Sequence, residues 1–390
     1  MRYFPLLVLL AFGCAEAPQD ASTPGSATEQ APTTPVALTG NPMHVDTDLP
    51  LEQIVLPEGF EISVYADDLP NARSLRLTEN GTLFVSTRRD GRVYAVVGDT
   101  PETRRTYTIA ADLNMPNGLA FRDGSLYVAE VSRLLRYDNI ESQLADPPAP
   151  VVVYEDLPTD THHGWKYIDF GPDGKLYVPV GAPCNVCDRE EPYATLMRMN
   201  ADGTDREIVA YGVRNTVGFN WHPENGDLYF TDNGRDLMGD DLPPCEFNRV
   251  TEIGQHYGYP YVHGSDILDP EFGQGRDPEA YVEPIQNLGP HVAPLGFEFY
   301  NGAQFPETYK GHALIAEHGS WNRSKKIGYR VMLVGMDEAG NATSYEPFAE
   351  GWLQGQEDWG RPVDLEHLPD GSVLVSDDKA GVVYRIAYTG

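Results

Sequence analysis

Six times along this chain, a short segment of alternating apolar and polar residues meets a tight turn and returns as a second such segment. The copies lie at 74–87 (SLRLTENGTLFVST), 118–130 (GLAFRDGSLYVAE), 167–181 (YIDFGPDGKLYVPVG), 217–232 (VGFNWHPENGDLYFTD), 295–319 and 363–378 (VDLEHLPDGSVLVSDD). Alternation with period two marks half-buried β-strands, and Asn-Gly or Asp-Gly marks a hairpin whose two turn residues take positive φ. Further strand-like segments follow several copies, at 91–97, 132–138, 328–336 and 381–388. No long amphipathic helical pattern competes with them. A unit of this kind cannot bury its own faces, so consecutive units must stack. Six of them predict an all-β fold, a six-bladed β-propeller, in which exposed sheet edges stay short. A folded part of about 340 residues gives roughly 57 per blade, above the ~40–50 of compact propeller repeats. The surplus falls at 233–293, and long loops in a compact domain are usually functional.

Ahead of the repeats the chain changes character. Residues 1–14 read MRYFPLLVLLAFGC, with Arg2 before an apolar run from Leu6 to Phe12. Such a run is too short to span a bilayer and predicts an export signal. Cys14, after a small residue at its end, resembles a bacterial lipoprotein box and is the expected lipid attachment point, with plain cleavage as the alternative. Residues 15–45, rich in Ala, Pro, Thr and Ser, lack the apolar mass to fold and read as a flexible tether to a propeller domain at 46–390. The expected location is the periplasm or cell surface, where disulfides persist. Cys184 and Cys187 are then expected to pair and stiffen a loop. Asp188 follows them where a c-type haem site needs His. Cys245 is left as a free thiol.

Charge narrows the partners. The chain carries 59 acidic against 28 basic residues, a net charge of −31. That excludes nucleic acid, and leaves membrane contact only through the N-terminal lipid, because like charges repel. It also means that clustered Arg and Lys need a reason. Such groups recur at one phase of the repeat, in the loops expected to converge on the channel mouth. Arg73 precedes the first copy, His162-His163-Gly164-Trp165-Lys166 the third, Arg214-Asn215 the fourth and Arg361 the sixth. Asp232-Asn233-Gly234-Arg235-Asp236 follows the fourth copy, and Glu317-His318 with Trp321-Asn322-Arg323 follows the fifth. Singly, each has a plain structural reading: a hydrogen-bonding His, a solvated Arg, a core Trp. Their shared phase points instead to a site for a multiply anionic ligand.

The long stretches 211–236 (YGVRNTVGFNWHPENGDLYFTDNGRD), 291–306 (HVAPLGFEFYNGAQFP), 316–324 (AEHGSWNRS) and 181–187 (GAPCNVC) carry a resemblance. The chain resembles the soluble sugar dehydrogenases that depend on pyrroloquinoline quinone (PQQ), most closely their sorbosone dehydrogenase-like branch, from residue 56 to the end. The resemblance implies a six-bladed propeller, in agreement with the repeat count, with PQQ and calcium as cofactors. It implies hydride transfer to the quinone from a sugar, a sugar aldehyde or a polyol. It makes His163, eight residues before Gly171-Pro172-Asp173, the catalytic base. It gives Arg214 a catalytic role and, with Asn215, a place on the cofactor, where Arg323, Lys325 and Arg361 join them; Arg73 and Asn233 are added as cofactor contacts by their phase in the repeat. Calcium would rest on the backbone carbonyls of Gly234 and Arg235, where relatives often have Gly-Pro. Glu246 and Tyr257 are candidates for a second calcium, although Cys245 stands where relatives have Asp. Val363 replaces a second Arg found in some relatives. With no haem motif, the electron acceptor would be a separate carrier. The family position before Gly171-Pro172-Asp173 prefers His163 to His162, and only one of the two is expected to face the channel because neighbours on an extended segment face opposite ways. The alternatives are a calcium-dependent lactonase or esterase on a six-bladed propeller, which 118–138 would suit, and a non-catalytic binding propeller.

Overall fold

The computed structural model describes residues 40–43, 45 and 48–390; the export signal, Cys14 and most of the proposed tether lie outside the described residues. The repeated hairpins form the first two strands of six antiparallel sheets, each completed by two more strands, as the repeat count predicts. Blade one is Ala72–Leu77, Leu83–Thr87, Val93–Val97 and Arg105–Ala110. Blade two is Gly118–Arg122, Ser125–Ala129, Leu134–Tyr137 and Val151–Tyr154. Blade three is Asp169–Phe170, Leu176–Val180, Thr195–Met199 and Glu207–Tyr211. Blade four is Phe219–Trp221, Leu228–Asp232, Pro244–Val250 and Gln286–Pro290. Blade five is Pro294–Phe299, Ala313–Glu317, Arg330–Met336 and Ala342–Glu350. Blade six takes Pro362–His367, Val373–Asp377 and Val382–Tyr388 from the end of the chain. Its outermost strand, Phe60–Ala66, comes from the beginning.

The first strands surround the channel, and that of blade six contacts that of blade one, closing the ring. They approach too closely for side chains at some points. A Cβ on Gly218 would stand 2.2 Å from the Leu295 carbonyl oxygen, and one on Gly296 would stand 2.0 Å from Asp364 Oδ1. Apolar clusters fill the space between adjacent blades. Leu314 and Val331 of blade five, for example, meet Val375 and Tyr384 of blade six.

Two expectations about loops need correction. Of the Asn-Gly and Asp-Gly pairs, only Asp123-Gly124 has positive φ at both residues, 50° and 75°. At Gly81, Gly174, Gly226 and Gly371 the glycine alone is left-handed. Those turns are longer, as where Gly81 N–H bonds the Thr78 carbonyl, and need only one such residue. Asn301-Gly302 has positive φ at neither residue and opens a longer loop holding the short helix Glu307–Tyr309. Residues 233–293, read as surplus loop, contain the outer half of blade four. Between its strands the chain crosses to blade three, where Gln255–His256 pairs in parallel with Glu207–Tyr211. No helix among the described residues is long and apolar enough to cross a membrane.

Closure of the ring rests on Phe60, which leads the N-terminal strand into blade six. Its ring lies 4.7–5.2 Å from those of Phe305, Tyr309, Phe348 and Tyr388. Replacement of a buried Phe by Ala typically costs about 3–5 kcal/mol through lost burial and the cavity left behind. Phe60→Ala is expected to lower unfolding stability by that amount in a denaturant titration. A change below about 1 kcal/mol would mean that the closing strand is not held by this cluster.

Candidate active site

Where the first strand of each blade begins and the second ends, the loops leave a cavity of about 260 Å³. Small-molecule sites span roughly 300–1,000 Å³, so this one suits a compact ligand. Every blade except the second sends residues to its wall: Arg73 and Arg88, then His163 and Trp165, Arg214 to Gly234, His318 to Asn322, and Arg361. The phase seen in the sequence is thus a place in space.

His163 lines this cavity and is buried, whereas His162 is exposed and does not line it. The reason is not strand alternation. The two residues sit in a turn, with Gly164 N–H bonded to the Thr161 carbonyl at 3.3 Å. His163 takes φ 50°, and the two rings lie 4.1 Å apart. A left-handed backbone at a non-glycine residue costs free energy and is often kept for function. Gly181 makes the room: a Cβ there would stand 2.7 Å from that of His163. His163 Nδ1 is 2.9 Å from the Ala182 carbonyl, which fixes the proton on Nδ1 and leaves Nε2 bare. Burial, then the charge of Arg214, then His162, hold the imidazole well below its usual 6.5. It is therefore a neutral base at neutral pH.

Arg214 is presented by the carboxylate of Asp232, which accepts the backbone N–H of Arg214 at 2.7 Å and of Asn215 at 2.6 Å. Burial nevertheless raises Asp232 to about 6, and burial with the nearby Asp232 charge raises Glu246, its cross-strand partner, to about 8. The guanidinium of Arg214 donates to the Asn233 carbonyl at 3.0 Å and pairs with Asp236 at 3.2 Å. Asn233 is itself held by its amide, which donates to the carbonyls of Asn215 and Pro294 at 2.9 and 3.1 Å. The next two carbonyls, of Gly234 and Arg235, meet no hydrogen-bond donor among the described residues.

On the opposite wall one carboxylate serves three partners. Asp378 lies 3.2 Å from Arg73, 3.2 Å from Arg361 and 3.0 Å from His318 Nε2. Those partners hold its pKa far below the usual carboxylate range despite burial. Arg88 joins the group without a carboxylate: its guanidinium lies 4.3 Å over the ring of Trp165. Burial and the charge of Arg73 lower Arg88 to about 10, so it remains a cation at neutral pH.

Not every expected residue reaches the cavity. Arg323 turns outward to the Asp240 carbonyl at 2.6 Å and Asp241 at 3.3 Å, and Lys325 is exposed. The side chain of Arg235 points away to Asp269 and Glu271. Glu246 spends its oxygens on Gly264 N–H at 2.8 Å and the Asn248 amide at 3.0 Å. Tyr257 donates its hydroxyl to the Arg249 carbonyl and its N–H to the Tyr211 carbonyl. No group of three or more His, Cys, Asp or Glu side chains able to hold a metal occurs among the described residues. Cys184 and Cys187 are bonded, while Cys245 is free and buried in the cavity wall, its thiol pushed up to about 12 by burial. Sequence reasoning missed Arg88 and Asp378. Both stand directly after the second strand of their blades, the phase that Asn233 and His318 also occupy.

The family match makes this an oxidoreductase of the sugar dehydrogenase kind. The chain belongs to the glucose/sorbosone dehydrogenase family, whose model matches residues 129–385. An uncharacterised protein of Borreliella burgdorferi is 33% identical over 347 residues, covering 85% of this chain and 90% of that one. Among solved structures, the PQQ domain of pyranose dehydrogenase from Coprinopsis cinerea, in its holo form, covers 86% of this chain and 97% of its own. Its TM-score is 0.74 at 17% identity. The PQQ-bound aldose sugar dehydrogenase of Streptomyces coelicolor covers 85% of this chain and 99% of its own, with TM-score 0.62 at 19% identity. At such identities these structures establish the shared fold.

Asp378 keeps the cations of this wall together, so its removal is expected to be costly. Breaking a buried pair by removing one partner costs about 3–5 kcal/mol. Asp378→Asn should lose about 3 kcal/mol at pH 7 in denaturant unfolding. A folded-state pKa below the unfolded value makes this contribution complete above about pH 4 and lost as pH falls further. The gap between variant and wild type should therefore close in acid. A gap unchanged from pH 7 to below pH 4 would mean that the carboxylate charge is not its source.

Proposed function

We propose that this protein oxidises a sugar, a sugar aldehyde or a polyol, using PQQ held with calcium. The observation that carries the reading is a neutral, cavity-facing His163 in a cavity also lined by Arg73, Arg88, Arg214 and Arg361, on a chain of net charge −31. A cavity so cationic suits an anionic cofactor, and guanidinium groups suit its carboxylates. Buried polar atoms without hydrogen-bond partners fit the same view: Trp165 Nε1 and Asn322 Oδ1 both belong to lining residues. The unpartnered carbonyls of Gly234 and Arg235 are hard oxygen donors of the type calcium accepts.

When bound, PQQ with calcium supplies the hydride acceptor, and the protein supplies position and charge. Arg73, Arg88 and Arg361 hold carboxylates, and Asn215 and Asn233 shape the adjoining wall. His163 receives the substrate hydroxyl proton at Nε2 while Nδ1–H stays on the Ala182 carbonyl. Arg214 sets a fixed positive charge beside the reacting centre, where preorganised charge is most effective. Trp165 and the 75% exposed Trp321 offer apolar faces to a sugar ring at the rim. A separate carrier takes the electrons, and export with a lipid at Cys14 places the enzyme in the periplasm or at the cell surface. A calcium-dependent lactonase would rely on acidic and Asn ligands at the channel, whereas Arg73, Arg88, Arg214 and Arg361 make this wall largely basic.

Apoprotein is expected to gain the quinone absorbance only with PQQ and calcium together and to lose it with chelator. No uptake under any condition would contradict the reading. His163→Gln should lower kcat by about a hundredfold or more, the scale for losing a general base, with PQQ still bound. His162→Gln should cost far less, and equal loss in both would remove His163 from its role. Because His163 is held below 6.5, protonation disables it only in acid. The acid limb of kcat/KM should therefore lie below pH 6.5, and a limb at or above neutrality would point to another base.

A further inference from the structure

Two of the four hydrogen bonds made by the Arg214 guanidinium go to one residue that lines no part of the cavity. Arg214 Nε donates to the Asn185 carbonyl at 2.8 Å, and Nη2 donates to Asn185 Oδ1 at 2.9 Å. The same Oδ1 accepts the Asp236 backbone N–H at 2.8 Å, and Asn185 Nδ2 donates to the Asp236 carbonyl at 2.9 Å. Asn185 thus ties Arg214 to the segment that carries Gly234 and Arg235. It lies within the small ring closed by the Cys184–Cys187 disulfide. That ring is pinned in turn: Cys187 N–H donates to the hydroxyl of buried Tyr259 at 2.9 Å.

We propose that Asn185, set in place by the Cys184–Cys187 disulfide, is a positioning residue for Arg214 and the 233–236 segment, so that full competence of the site requires the oxidised disulfide. The inference rests on the reading of Arg214 as a cofactor-facing group. A guanidinium on a long, rotatable side chain has many rotamers, and its charge is useful only in one of them. Asn185 removes that freedom at two nitrogens, and the Asp236 contacts couple the arginine to the backbone carrying the two free carbonyls. Asn185 is a half-buried loop residue, and the disulfide restricts its backbone. A dithiol reductant would supply two electrons and two protons. The S–S bond would break, two thiols would form, and the reductant would become its own disulfide.

The test uses the full chain, with PQQ and calcium ions as probes. Three variants are compared with wild type: Asn185→Ala, Asn185→Asp, and Cys184→Ser with Cys187→Ser. For Asn185→Ala, kcat should fall by roughly ten- to a hundredfold, as for a misplaced catalytic group, with KM for the sugar changed much less. PQQ should bind about tenfold more weakly, consistent with loss of preorganisation. Asn185→Asp keeps the acceptor for Arg214 and Asp236 and should recover most of the loss. The double serine variant and dithiol-treated wild type should fall between, the latter reversing on reoxidation. In apoprotein, backbone amides at 213–216 and 233–236 should exchange hydrogen faster in Asn185→Ala and in reduced wild type, with blades one and six unchanged. Wild-type kcat and PQQ affinity in Asn185→Ala would overturn the proposal, as would a lowered melting temperature alone. If wild type takes up no PQQ, the proposed function falls, and the exchange measurement on apoprotein alone decides whether Asn185 holds Arg214.

Discussion

The carboxylate of Asp378 is the contact on which the channel mouth depends. Like charges repel, and the blades bring Arg73 and Arg361 to one place, with Arg88 alongside and His318 bonded to the same carboxylate. Without a counter-charge their desolvation and mutual repulsion would oppose closure of blade six on blade one. Asp378 offsets part of this but cannot satisfy all of it, since one carboxylate faces several cations. The remaining positive field is what an anionic ligand would meet. Across the cavity Asp236 plays the same part for Arg214, at 3.2 Å.

The propeller makes this arrangement possible because its loops, and not its sheets, carry the chemistry. Each first strand starts at the mouth and runs down the channel, so a residue just before it is delivered to the cavity. Each second strand returns, so the residue just after it arrives at the same level. Further along the first strands the character inverts. Arg76 pairs with Asp169 at 3.0 Å, and Glu298, Asp364 and Glu366 lie nearby. Burial, then the neighbouring Glu366, drives Glu298 well above the usual carboxylate range. The channel therefore has a cationic mouth above a carboxylate-rich stem.

Much of this was legible in the chain because the hairpin repeat is a local pattern and the blades follow from it. All six pairs of first strands fell where the alternation placed them, and His163, Arg214, Asn215, Asn233 and Arg361 reached one cavity by phase alone. What local pattern does not encode is the direction in which a loop leaves its strand. Arg323 and Lys325 share the basic character of the site, but the chain after Trp321 turns them toward Asp240 and Asp241 or to solvent. Arg88, followed by Arg89 and Asp90, reads as a solvated charge, yet it folds over Trp165. Asn185 was hidden for another reason: its role arises from contacts across 29 and 51 residues of sequence, which no spacing rule reaches. The family position eight residues before Gly171-Pro172-Asp173 selects His163; strand alternation predicts that only one of the two histidines faces the cavity, whereas a left-handed turn separates them.

The central claim is that a single cavity at the channel mouth holds an anionic quinone between the Asp378 cluster and His163. A crystal structure of the protein reconstituted with PQQ and calcium tests it most directly. The account predicts the quinone in this cavity, its carboxylates on Arg73, Arg88 and Arg361, and calcium against the carbonyls of Gly234 and Arg235. A quinone bound elsewhere on the propeller, or in this cavity with its carboxylates turned away from those arginines, would contradict it.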